Sequence, residues 1–244
     1  MVRKIWSRYV ILNWKFGLLL VLLICIPRFY LVLSANKIGN YSAIGIIMLV
    51  SFLIPFIFLN PQGLWTIGWR KPSNYFNLAL AFIKGLLFAF FLYFIGYFLF
   101  SDSIENWYIY IGKSYNIPSD ISLNDKTSLF LIMASTGMLF SPFGEEMYFR
   151  GIVHECFANS FGHSSASRID SAAFALTHLA HFGIIYWQGT WQFLPVPSLL
   201  WFAAMYSASR LFYISKIKTD SIFGAIASHA AFNFMMIYCI FYLL

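Results

Sequence analysis

Long apolar runs separated by short polar stretches constrain this chain more than any other feature in it. A bilayer core about 30 Å thick takes roughly 20 helical residues to cross. Runs of that size lie near residues 12–34, 41–59, 77–100, 128–157, 168–187, 196–215 and 220–243. Backbone N–H and C=O groups find no water inside lipid, so such segments satisfy one another as helices and bury their polar side chains between them. The expected fold is all-α, a polytopic transmembrane bundle of about seven to eight helices with a polar intramembrane site, forming one domain over residues 1–244.

Composition excludes the soluble classes. Of the 244 residues 60% are hydrophobic and only 10% charged, against roughly a quarter charged in soluble domains. The net charge of +7 does not point to nucleic acid, because the sixteen Lys and Arg are scattered between apolar segments and form no basic face. Membrane lipid is the expected surrounding, and no nucleic-acid partner is expected. Cys25, Cys156 and Cys239 lie far apart with no CxxC spacing and read as small buried hydrophobes. Oligomeric state is not legible.

Basic residues near span ends report topology. With a cytoplasmic N-terminus, Arg3, Lys4, Arg8, Lys15, Arg70, Lys71, Arg168, Lys216 and Lys218 fall inside and only Lys37, Lys113 and Lys126 outside. The expectation is therefore an integral, multi-pass plasma-membrane protein with its N-terminus in the cytoplasm. The basic start runs into an apolar stretch with no small-residue cleavage pattern, which reads as an anchor. Compact length and short loops suit a bacterial membrane. The stretch GLWTIGWRKP, with Trp65, Trp69, Arg70 and Lys71, reads as a short interfacial piece. Residues 101–127 read as an outward loop, and Trp187 and Trp191 as markers of that same interface.

Ionisable residues at membrane depth cost at least about 2.5–3.5 kcal/mol on insertion scales and normally face the bundle interior. The fourth run holds three: Glu145, Glu146 and Arg150. Glu146 and Arg150 form an i,i+4 pair in the favourable order, while Glu145 points about 100° away around the helix. Arg150 can then neutralise one carboxylate and leave the other for a different task. A single buried ion cluster that only locks packing is the alternative. Pro142 predicts a kink just before the acids. The fifth run carries Phe174, His178 and His181, and the seventh His229 and Asn233. At 1.5 Å per residue, Glu145, His178, His229 and Asn233 lie about 14–20 Å from their respective span ends, a common depth. One polar site near mid-membrane, opening toward the cytoplasm, is expected.

These residues resemble the CAAX prenyl protease type II and bacteriocin-processing (CPBP, or Abi) intramembrane proteases. The likeness rests on EExxxR at Glu145–Arg150, FxxxH at Phe174–His178 and HxxxN at His229–Asn233, in order and on separate helices. It covers about residues 63–240. The resemblance implies an intramembrane endopeptidase that hydrolyses a peptide bond in a membrane-associated peptide or protein. It implies Glu145 as general base toward a water, His178 holding that water, His229 and Asn233 stabilising the oxyanion, and Glu146, Arg150 and Phe174 in support. A zinc ion on Glu145, His178 and His229 is the other route, since a Glu with two His is a known catalytic set. The chain has no HExxH, and a metal-free glutamate mechanism stands beside the zinc one. His181 reads as a packed residue ahead of a ligand. Other readings are an ion-coupled transporter, for which no internal repeat is visible, and a catalytically idle membrane scaffold. A Cys156–His154 nucleophile is a further, weaker alternative. Ser141 and Ser228 lie near the acids and histidines, but a serine mechanism would leave the Glu pair without a role.

Overall fold

Helix after helix starts where a polar side chain caps it. A computed structural model describes residues 1–118 and 120–244. α1 (Trp14–Ile38) is capped by Asn13, α2 (Ser42–Phe58) follows a short link, and the short α3 (Pro61–Thr66) is capped by Asn60 with Pro61 at its first position. α4 (Tyr75–Phe100) begins at Asn74, α5 (Trp107–Lys113) at Asn106, and α6 (Leu123–Glu145) at Ser122, whose hydroxyl accepts from the Asp125 N–H. In each capped case a short side-chain oxygen satisfies a backbone donor that the first turn leaves over. A π-helical segment, Glu146–Val153, joins α6 to α7 (His154–His178); α8 (Pro195–Thr219) and α9 (Ile222–Tyr242) complete the bundle.

By length and composition, Trp14–Ile38, Tyr75–Phe100, the continuous Leu123–His178 stretch and Ile222–Tyr242 can cross a membrane, with α2 a shorter apolar helix. The chain is an all-α membrane helix bundle. Large apolar side chains such as Leu19, Leu23, Phe98 and Ile132 are exposed on its flanks, as lipid-facing residues are.

Two local expectations are corrected, those for 168–187 and for 101–127. α6 runs through Pro142 to Glu145, and the non-helical geometry comes after the acids, in the π-helical turn at Gly151 (φ −88°, ψ −106°). α7 is likewise two pieces, because Gly162 at φ 76°, ψ 159° folds its second part back toward the membrane. The run drawn at 168–187 stops as helix at His178, and Ile184–Trp187 (β1) pairs antiparallel with Thr190–Phe193 (β2), Ile184 opposite Phe193 and Trp187 opposite Thr190. Gly183 makes this turn: its φ is +116°, and a Cβ there would stand 2.7 Å from the Ser198 hydroxyl. Gln188 and Gly189, both at positive φ, close the hairpin in the manner of the primed turns. Lastly, 101–127 is no plain loop. α5 inserts Trp107 and Tyr108 into the core, Trp107 stacking on Trp201 at 5.9 Å and the Tyr108 hydroxyl donating to the Ala89 carbonyl at 2.6 Å.

The bundle has two distinct ends. The N-terminal segment bonds to the end of α2, Arg3 N–H to Phe58 O at 2.8 Å, and Arg70 pairs with Asp220 beyond α8. Lys37 and Lys113 sit at the other end, over Tyr186 and Trp187 of the hairpin. Basic residues are thus divided between the ends as expected, and Trp187 and Trp191 belong to the hairpin end. α9 packs closely on α4, where a side chain at Gly85 would run into the Ser228 carbonyl, one residue before His229.

Candidate active site

Side chains from α1, α6, α7 and α9 meet at the floor of a cavity of about 310 Å³. Glu145, His178, His229 and Asn233 all line it, so the four residues singled out by depth converge as expected. Phe174 and His181 line it as well. Glu146 and Arg150 stand behind this wall, wholly buried.

The two adjacent carboxylates have separate partners. Glu146 Oε2 lies 3.1 Å from Arg150 Nε, the expected i,i+4 ion pair, although the alignment falls short of a hydrogen bond. Its other oxygen, Oε1, accepts from His229 Nδ1 at 2.7 Å. That bond fixes His229 with Nδ1 protonated and Nε2 turned away from Glu146. Glu145 Oε1 accepts from Arg28 Nη2 at 2.9 Å and from the Ser141 hydroxyl. Among the described residues Glu145 Oε2 has no hydrogen-bond partner, and it lies 3.8 Å from His178 Nε2. Because His178 Nδ1 must donate to the Phe174 carbonyl, 2.7 Å away, its Nε2 carries a free lone pair. A single water about 2.8 Å from both atoms fits between an oxygen and a nitrogen so spaced.

Aromatic packing holds the rings. Phe174 stacks on His178 at 4.2 Å and meets His229 edge-on at 5.9 Å, while the Arg150 guanidinium lies 4.4 Å from its centroid. Phe212 of α8 stacks on His229 at 4.6 Å and 9°. Trp201 Nε1 donates to the His178 carbonyl at 3.0 Å. Asn233 uses one N–H on the Gly137 carbonyl at 2.9 Å, which leaves its second N–H available. Below the site, His154 Nδ1 donates to Asp170 Oδ2 at 2.7 Å and its Nε2 meets His163 at 3.1 Å, so the returning half of α7 that carries His178 is tied to the first half.

Residues 127–235 match the family described as type II CAAX prenyl endopeptidase, Rce1-like. The match supports the protease family that the three motifs resemble. The matched segment begins within α6 and ends within α9, and so contains all three motifs and leaves α1 and α2 outside. No curated protein and no solved structure matches the chain.

Within this protease fold, Arg28 and Phe212 are the site residues that sequence reasoning did not place, and Ser141, set aside as a nucleophile, returns as a donor to Glu145. Arg28 lies inside the first apolar run, where a lone charge was the available signal; Phe212 carried none, being one aromatic among many. Cys156 is buried with its Cβ against Gly17 and does not line the cavity, while His154 is engaged by Asp170, so the thiol alternative lacks its geometry. Among the described residues no three His, Cys, Asp or Glu side chains are gathered to hold a metal. Arg28 takes one oxygen of Glu145 and Glu146 takes one nitrogen of His229, which leaves Glu145 Oε2, His178 Nε2 and His229 Nε2 as the atoms that would hold a metal.

The lining of the cavity runs toward one end of the bundle. From the floor it extends along Gly137 and Met133 of α6, Met236 of α9 and Trp201 of α8 to Tyr41 and Ser114, toward the hairpin end and away from the N-terminus. A smaller cavity of about 110 Å³ continues there, sharing Tyr41 and Ser114.

Proposed function

We propose that the chain is an intramembrane endopeptidase in which Glu145 activates a water for attack on a peptide carbonyl. The observation that carries this reading is the facing of Glu145 Oε2, without a hydrogen-bond partner among the described residues, and His178 Nε2, 3.8 Å apart in the cavity. A water between them donates one hydrogen to each and turns a lone pair toward the cavity. Glu145 takes the proton as oxygen bonds to the carbonyl carbon, and passes it to the leaving amine as the C–N bond breaks. His229 as imidazolium, its charge balanced by Glu146, donates from Nε2 to the oxyanion, and Asn233 donates its free N–H. Each such donor is worth roughly 3 kcal/mol.

The family description suggests the substrate to try first, a prenylated C-terminal peptide of the CAAX kind. Cavity walls carrying Met48, Met133, Met205 and Met236 suit a flexible apolar chain. Purified protein in lipid nanodiscs is incubated with such peptides, with and without chelator, beside Glu145→Gln. Cleavage by the wild type in chelator and a loss of at least about 10³-fold in Glu145→Gln are expected. Undiminished cleavage by Glu145→Gln removes the residue from the mechanism, and activity abolished by chelator and restored by zinc overturns the metal-free route.

A further inference from the structure

Among the described residues Arg28 is the one charged group at the site contributed from outside the matched segment, and its guanidinium is 3% exposed in the wall of the cavity. A carboxylate on a long side chain turns readily about its last torsion, which has broad, two-fold wells. Here two donors, Arg28 Nη2 at 2.9 Å and the Ser141 hydroxyl, converge on the same oxygen, Oε1. Rotation would break both bonds, so Oε2 is left as the oxygen that faces His178. The arginine also supplies the counter-charge a buried carboxylate needs at this depth. On the hydrolase reading above, we propose that Arg28 is a positioning residue for the reaction, holding Glu145 with Oε2 toward the water and joining α1 to the catalytic floor.

Peptide cleavage by Arg28→Met, Arg28→Lys, Arg28→Ala and Ser141→Ala is compared with wild type, each protein first checked for monodispersity. A misplaced catalytic group costs up to about 100-fold, so Arg28→Met is expected to lower kcat by about 10- to 100-fold with KM within about threefold. Arg28→Lys recovers part of the loss. Guanidinium ion restores Arg28→Ala by about tenfold or more, whereas sodium chloride of equal ionic strength does not. Ser141→Ala, which removes the second donor without touching a charge, lowers kcat by a smaller factor, and serves if the Arg28 variants do not fold. Unchanged kcat in Arg28→Met, or in Ser141→Ala where that variant alone folds, overturns the proposal. So does a raised KM at constant kcat, which would make Arg28 a substrate contact. The functional reading fails separately, when the wild type cleaves nothing or Glu145→Gln cleaves as well as it does.

Discussion

Removing Arg150 tests whether the buried charges behind the cavity are coupled as the geometry requires. Arg150→Met strips Glu146 of a partner 3.1 Å away at a site with no exposure. Losing one member of a buried pair costs about 3–5 kcal/mol, and the lower figure applies because His229 still donates to Glu146. Loss of the cation–π contact with Phe174 adds about 1 kcal/mol. A total near 4 kcal/mol corresponds to a Tm drop of roughly 8–16 °C for a chain of this size. Thermal unfolding in detergent, followed by tryptophan fluorescence, measures it. The double variant Glu146→Gln with Arg150→Met leaves no carboxylate unpaired behind the cavity and regains most of the lost stability. Its activity stays low, since the introduced amide can accept from His229 but cannot balance an imidazolium. A single variant within about 1 kcal/mol of wild type, or a double no more stable than the single, refutes the argument.

Three further outcomes follow from other parts of the fold. Asn233→Ala lowers kcat by about 10²–10³ with KM little changed, and costs about 1 kcal/mol of stability for the bond to Gly137 O; an unaltered kcat in steady-state assays rules out an oxyanion role. Gly183→Ala strains a φ of +116° and crowds Ser198, so limited proteolysis is expected to open the 184–193 hairpin sooner than in wild type. Cys156→Ala retains activity within about threefold and thiol reagents leave the folded enzyme uninhibited, because all three cysteines are buried and outside the described cavity lining; inhibition relieved by this substitution would reinstate the thiol.

Run length and charge scarcity were enough to read an all-α membrane bundle, because lipid leaves a spanning backbone few ways to satisfy its hydrogen bonds. Depth along each run was enough to bring Glu145, His178, His229 and Asn233 to one level, since rise per residue is a property of the helix alone. The pairing of Glu146 with Arg150 was legible for the same reason, both residues lying on one helix. What the hairpin after Gly183 and the insertion of α5 required was turn chemistry and core packing, and hydropathy averaged over about twenty residues does not carry either.

Only the tertiary structure decided which carboxylate meets which partner. Arg28 to Glu145 spans 117 positions and His229 to Glu146 spans 83; no periodicity links residues so far apart. The direction of the cavity was undecidable for a related reason. Each helix by itself is open to lipid all around, and a cavity exists only where the crossing of several helices leaves a space, here toward the hairpin end. Spans and depth follow from properties local to a helix, whereas counter-ions and openings follow from how helices lean on one another.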